Sequence, residues 1–321
     1  MDRPVSLSAH PAPTEQRFTD PAPATAAPSG PVLGIDFGGT KMAVGVADRT
    51  GRLLVADRIP TDPERGAQQA LDRALDLADR LLAEVSAAPA AVGIASPGVI
   101  RDDGIDLAPN VPGWDRLRLA DAVRDRLGVS VVPVANDLNA AALAELRLGA
   151  LRDVDPGLVV GLGTGVAAAV TVGGRVLAGH RGAAGEIAYA VTGGAWFDRS
   201  MLEQVFSGKA LDRLAARSGL TGGAAALCAE AARPGPAQDA LRSRLDELAR
   251  HLATCCLLLD PGRVVLVGGV ARNPLVRELL VERLTEVLPY RPEVVLSDFP
   301  DDAALLGAVT MAAEAASAGV S

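Results

Sequence analysis

The residues best suited to do chemistry lie in GIDFGGTK, Gly34 to Lys41. A short apolar run, Val32 to Phe37, delivers one carboxylate, Asp36, to its end, where it could hold Mg²⁺ through water. Gly38 and Gly39 leave backbone N–H groups open to an oxyanion with no Cβ in the way. Thr40 and Lys41 add donors. The glycines are adjacent and a second apolar run, MAVGVAD, follows directly, so this is a hairpin turn suited to phosphate. The G-x-x-x-x-G-K-[ST] loop would need a helix there. A hairpin with an ordinary Gly-Gly turn has the same appearance in isolation. Two further glycine turns, Gly163-Thr164-Gly165 and Gly268-Gly269, also follow apolar runs.

Those turns need strands to carry them. From Val32 the pattern reads strand, turn, strand, then the DRTG turn at Asp48 to Gly51 and a third strand, Arg52 to Ala56, which together form an antiparallel meander. A helix from about Arg65 to Val85 has Ala67, Ala70, Leu71, Ala74, Leu75, Ala78, Leu81 and Leu82 at helical spacing. Ala91 to Ala95 reads as a buried strand ending in the sharp Ser96-Pro97-Gly98 turn. Leu119 to Leu127 is a helix stopped by Gly128, and Val129 to Ala135 the strand after it. This order implies an α/β domain around a mixed sheet.

The order then starts again. Asn136-Asp137 caps a helix, Leu138 to Gly149. Leu158 to Leu162 and Val166 to Val172 are strands on either side of Gly163-Thr164-Gly165, and Gly173-Gly174 turns into a third strand, Arg175 to Leu177. Two related halves facing each other would set two phosphate turns across one cleft. A helical stretch with interruptions, Met201 to Leu258, leads to a strand, Arg263 to Val267, and to Gly268-Gly269. The last helix, Ala303 to Ala316, contains Gly307 at a point of expected close packing.

Composition bounds the rest. A chain of 321 residues with 49% apolar content suggests about two domains with ample cores. Net charge is −8 and basic residues are scattered, which points away from nucleic acid and from a membrane surface. Three cysteines, two of them adjacent at Cys255 and Cys256, make no disulfide framework and fit a reducing cytoplasm. No apolar run approaches the roughly 18 residues of a membrane span, and residues 1–30, rich in Pro and Ala, read as a disordered tail without a signal peptide's apolar core. Lysine occurs only at 41 and 209, each in a glycine-containing loop signature, GGTK and SGKAL.

Taken together these motifs resemble the ROK family of bacterial sugar kinases, glucokinase-like members of the actin, Hsp70 and hexokinase superfamily. The likeness runs from about Val32 to Ala316. GIDFGGTK resembles the first phosphate motif, SPGVI the xPGxV turn, and APNVPGW, Ala108 to Trp114, the asparagine segment that touches sugar. NDLNAAALAE, Asn136 to Glu145, resembles the catalytic NDxNAAAxGE, GLGTGV the second phosphate motif, and VLVGGV the adenosine motif. The resemblance implies a two-domain actin-like (ribonuclease H-like) fold with a cleft between residues 31–136, joined by the returning helix 303–316, and residues 137–302. It implies ATP and Mg²⁺ as cofactors and a homodimer.

A sugar hydroxyl is a poor nucleophile, so a carboxylate must accept its proton as the phosphoryl group moves. Asp137 suits that role, and it could equally cap a helix. By resemblance Asn110, Asn136, Glu186, Tyr189 and Glu203 face the sugar. Gly38, Gly39, Thr40, Lys41, Gly163, Thr164, Gly165, Gly268 and Gly269 face the nucleotide, with Asp36 holding Mg²⁺.

The chain departs from the family at GEIAYAVTGGAWFDRSMLEQ. Family members carry GE[IL]GH followed by CxCGxxGCxE, whose histidine and cysteines hold zinc. Here Tyr189 replaces the histidine and no cysteine lies between it and Glu203, while zinc needs about four N or S ligands. No zinc site is expected, with Trp196 and Phe197 anchoring the loop instead. Tyrosine is longer than histidine and neutral, so the sugar pocket should differ on that side. Glucose is the default substrate, and a glucose-like amino sugar such as kanosamine, which a relative in the family phosphorylates, is the alternative. A non-catalytic sugar sensor is the competing class. The sensors that repress transcription carry an N-terminal winged helix, which a 30-residue Pro/Ala tail does not form.

Overall fold

The computed structural model describes residues 30–101, 104–108, 111–193 and 200–318. Most of the Pro/Ala-rich tail, Asn110, Trp196 and Phe197 lie outside the described residues. In chain order the first half holds β1 (Val32–Phe37), β2 (Lys41–Ala47), β3 (Leu53–Pro60), α1 (Ala67–Val85) and β4 (Ala91–Ser96). A small hairpin of β5 (Val99–Arg101) and β6 (Gly104–Asp106) follows, then α2 (Leu119–Leu127) and β7 (Val134–Asn136). The second half holds α3 (Asp137–Arg147), β8 (Gly157–Leu162), β9 (Val166–Val172), β10 (Arg175–Val176), and the short pair β11 (Val191–Thr192) and β12 (Ser200–Met201). Helices α4 (Leu202–Val205), α5 (Gly208–Arg217), α6 (Gly223–Ala231) and α7 (Pro236–Leu259) come next. The chain closes with β13 (Arg263–Val267), α8 (Pro274–Val287), β14 (Glu293–Leu296) and α9 (Ala303–Ala318).

The repeat read from the sequence is visible in the strand orders. The first sheet runs β3-β2-β1-β4-β7 and the second β10-β9-β8-β13-β14. In each, the leading strand pairs antiparallel with the next on one side and parallel with a later strand on the other. The leading strands are apolar at nearly every position because both their faces are covered. On the first sheet Leu33, Ile35 and Phe37 pack against Leu71 and Leu75 of α1 and against Trp114. On the second, Leu158, Val160 and Leu162 pack against Leu211, Leu245 and Leu280 of α5, α7 and α8.

Between the sheets lie α3 and α9. Helix α9 rests on β1 and β4 where glycine replaces side chains: Gly34 is in register with Gly45 of β2 and with Gly93 of β4, a bare row across the sheet. A Cβ on Gly93 would fall 1.9 Å from Ala308 O, and one on Gly34 2.6 Å from Val309 Cγ2. On its other side α9 crosses α3 with similar intimacy, since a Cβ on Gly307 would stand 1.8 Å from Ala140 O. Real Cβ contacts do not come so close, so these positions admit only glycine in this packing.

Some elements differ from the sequence reading. β7 is shorter than expected because Pro133 has no N–H to give the ladder, although Val131 and Pro133 still accept hydrogen bonds from Val92 and Ile94. The hairpin β5–β6, helix α8 and strand β14 are additional. No helix of the described residues is long and apolar enough to cross a membrane.

Candidate active site

A cavity of about 550 Å³ opens between the sheets, a size that suits a small-molecule ligand. The carboxyl ends of β1, β4, β7, β8 and β13 all converge on it, the usual place for a ligand on open α/β sheets. They bring to its wall Asp36, Gly38 and Gly39, then Gly98, Asn136 and Asp137, then Gly163, Thr164, Gly165 and Gly268. Loops and short elements add Glu186, Tyr189, Glu203, Gln204, Phe299, Pro300 and Asp301.

The first glycine turn is fixed by Thr61, whose Oγ1–H donates to Gly38 O at 2.6 Å and whose N–H donates to Thr40 O at 3.0 Å. Thr40 and Lys41 are not part of the lining and are exposed. Lys41 Nζ stands 3.7 Å from Asp301 Oδ1, and Arg272 Nη2 reaches the same oxygen at 2.6 Å. The second turn is held from two directions. Gly208 and Lys209, at the start of α5, donate backbone N–H groups to Gly163 O and Thr164 O at 2.8 and 3.2 Å. Glu203 Oε2 accepts the Val166 N–H at 3.3 Å, and Gly165 leaves it room, because a Cβ there would fall 2.3 Å from that oxygen. Gly268 sits beside this turn with φ at +99°, while Gly269 is exposed and outside the lining.

The helix cap and the carboxylate separate cleanly at α3. Asn136 is the N-cap: its Oδ1 accepts the N–H groups of Leu138 and Asn139 at 2.9 and 3.3 Å, and its Nδ2 donates to Gly98 O at 2.9 Å. Capping therefore does not consume Asp137, the first helical residue, whose carboxylate lines the cavity and accepts the Leu138 N–H at 2.8 Å. Burial pushes the Asp137 carboxyl up to about 6, against the pull of backbone N–H groups. Burial and then the Asp137 charge push Asp36 up to about 7, with Lys41 and Arg58 opposing. Glu186 is also raised, by burial, then Asp137, then Glu203. The Tyr189 hydroxyl is raised by burial and by Glu186 and Glu203, so it stays a neutral donor.

The segment around Glu203 needs an anchor. Leu202 and Phe206 are fully buried on either side of it, and Leu202 N–H donates to Ala190 O at 2.8 Å. Ser207 Oγ donates to Glu203 O at 2.8 Å, and Arg244 Nη1 from α7 donates to Val205 O at 3.0 Å. Among the described residues no three His, Cys, Asp or Glu side chains form a group able to hold a metal ion directly. Asn110 falls outside the described residues; four residues on, buried Trp114 donates from Nε1 to Ser96 Oγ at 2.9 Å and meets the Phe37 ring edge-on at 5.0 Å.

Of the residues that line the cavity, the sequence reading named the glycine turns, Asp36, Asn136, Asp137, Glu186, Tyr189 and Glu203; among those it did not name are Gly98, Gln204 and the run Phe299 to Asp301. Gly98 belongs to a motif already singled out, and Gln204 is adjacent to Glu203. SDFPDD, a polar stretch with one proline before an apolar helix, carries only an ordinary turn signal.

Comparison with known proteins adds a family match. The model described as "ROK family" matches residues 32–315. A glucokinase of Thermotoga maritima is 32% identical over 315 residues, covering 88% of this chain and 97% of the relative. A ROK hexokinase of Thermus thermophilus superposes with a TM-score of 0.76 at 31% identity, covering 88% of this chain and 97% of that one. A ROK family glucokinase of Streptomyces griseus, solved with glucose and AMPPNP, superposes with a TM-score of 0.71 at 27% identity, over 89% of this chain and 100% of that one.

Proposed function

Because the chain belongs to the ROK family and has its actin-like fold, we propose that it transfers the γ-phosphoryl group of ATP to the 6-hydroxyl of a hexose, glucose or a glucose-like amino sugar such as kanosamine. The observation that carries this reading is a partly buried carboxylate, Asp137, raised by desolvation to about 6 and lining the same cavity as two glycine turns. Asp137 takes the hydroxyl proton as the new O–P bond forms and the bond to ADP breaks. N–H groups of Gly38, Gly39, Thr164 and Gly165 face the phosphates, Gly163 closes the second turn with its N–H on Gly165 O at 3.1 Å, Gly268 and Gly269 lie toward adenosine, and Thr40 and Lys41 at the rim. Asp36 fits a water-mediated Mg²⁺: its charge is disfavoured by burial and by Asp137, a penalty that a hydrated dication offsets. The ion supplies charge neutralisation on the transferred phosphate.

Asn110, Asn136, Glu186, Tyr189 and Glu203 orient the sugar. Asn136 has one amide hydrogen left after its cap and its bond to Gly98. In this reading residues 31–136 with α9 form one domain and 137–302 the other, closing on a small-molecule substrate to exclude water. The protein works as a cytoplasmic homodimer.

The amino-sugar branch has electrostatic support. Glu186 is repelled by Asp137 and by Glu203 at the sugar end, and Tyr189 contributes no positive charge where a histidine could. An ammonium on the ring would relieve that repulsion. ADP release measured with glucose, kanosamine, glucosamine, mannose and N-acetylmannosamine tests the proposal. Turnover with at least one is expected, with a free amine favoured over an N-acetyl group. A folded protein that turns over none of them would sink it, and sugar binding by calorimetry without turnover would favour the sensor.

A further inference from the structure

Glu145 is 0% exposed, eight residues beyond Asp137 on the same helix, and has no part in the chemistry above. Its Oε1 accepts the Ser297 hydroxyl at 2.5 Å and its Oε2 the Ala150 N–H at 2.9 Å. Ser297 Oγ in turn accepts the Phe299 N–H at 2.9 Å, and Ser297 N–H donates to Leu266 O of β13 at 2.9 Å. The bonds form a buried line from the end of α3 to Phe299, the first of three consecutive residues, Phe299, Pro300 and Asp301, on the cavity wall. Gly149 makes the line possible, because a Cβ there would meet Glu145 Oε2 at 2.3 Å and the Phe299 ring at 2.8 Å.

The far end of the same segment is held differently. Asp301 pairs with Lys41 and Arg272, and Asp302 with Arg58. All of these side chains are more than a third exposed, and exposed pairs of this kind contribute little to position. A hydroxyl held by a buried carboxylate contributes more, since breaking it removes one of the few hydrogen bonds of a carboxylate that water does not reach. The buried line is thus the part of the hold that is shielded from water, alongside the bond from Arg272 Nη2 to Pro300 O at 2.7 Å.

We propose that Ser297 and Glu145 are positioning residues that set the wall from Phe299 to Asp301 beside the phosphate end of the cavity, and so control nucleotide affinity without touching substrate. The proposal rests on the kinase reading for what binds there. In the full-length protein, Ser297→Ala is expected to raise KM for ATP about tenfold, leaving kcat and the sugar KM within about twofold, with Ser297→Thr restoring most of the loss. Calorimetry with AMPPNP should report the same tenfold weakening, whether or not a sugar is turned over. Unchanged AMPPNP affinity in Ser297→Ala overturns the proposal. So does a parallel rise in both KM values that Ser297→Thr does not reverse, which marks a purely structural role. A wild-type protein that binds AMPPNP but phosphorylates no sugar refutes the proposed function while leaving this test intact; one that binds no nucleotide refutes both.

Discussion

Replacing Asp137 by asparagine is expected to lower turnover by roughly two to four orders of magnitude while KM for ATP stays close to its original value. Asparagine preserves the shape of the first residue of α3 and leaves the cap untouched, because Asn136 supplies it. The loss is therefore chemical. In the unsubstituted protein activity should fall as pH drops through about 6, where the carboxyl becomes protonated and has no capacity to accept the hydroxyl proton.

Stability should move the other way. The folded-state value near 6 exceeds the ordinary 3.8, so between those values the native protein holds a proton that the unfolded chain has released. Stability thus decreases as pH rises through that window, and above it the buried charge costs up to about 3 kcal/mol. Asp137→Asn removes that cost and should melt no lower than the parent at pH 8. Near-parental activity would reject Asp137 as the base, and a large fall in melting temperature would show that the side chain is structural.

The second large effect concerns stability alone. Glycine inside a helix normally costs about 1 kcal/mol relative to alanine, so on an open helix Gly307→Ala would stabilise. Here the added methyl would stand 1.8 Å from Ala140 O, and the carbonyl belongs to α3, whose first turn carries Asp137. Helix α9 has no slack to retreat, since its other side lies on Gly34 and Gly93. The expected result is a loss of about 3 kcal/mol or more, seen as a melting temperature lower by on the order of 10 °C in differential scanning fluorimetry. An unchanged or higher melting temperature would mean that the two helices separate freely.

Much of this architecture is legible from local signals. The meander after Val32 and its repetition after Gly157 follow from apolar runs broken by glycine, and Gly173-Gly174 makes its hairpin turn with φ of +61° and +70°. Helix α8 also carries the full set of signals, an Asn273 cap, Pro274 at its first position and Val276, Leu279, Leu280 and Leu284 buried at helical spacing, although it was not among the elements expected. The hairpin β5–β6 is different, because strands of three residues carry too little periodicity to stand out.

The site divides along a similar line. Glycine turns and the Asn-Asp pair have types and neighbours that point to one cleft, and the cavity gathers them. Which member of that pair caps α3 depends on backbone geometry at a single peptide, and the sequence left both open. Thr40, Lys41 and Gly269 belong to motifs whose other members line the cavity, yet all three are exposed and outside the lining, which residue type does not reveal. Phe299 to Asp301 reach the wall only through tertiary contacts with Glu145, Arg272 and Lys41, to which no local pattern points.

The scarcity of lysine has a practical side. Lys41 ends the first glycine turn and faces Asp301, and Lys209 opens the helix whose N–H groups hold the second. Apart from a chain-terminal amine, the primary amines of this protein are thus confined to the rims of the two turns. Acylating reagents and amine-directed fluorophores, which scatter over the surface of most proteins, act here as labels addressed to the two lips of one cleft.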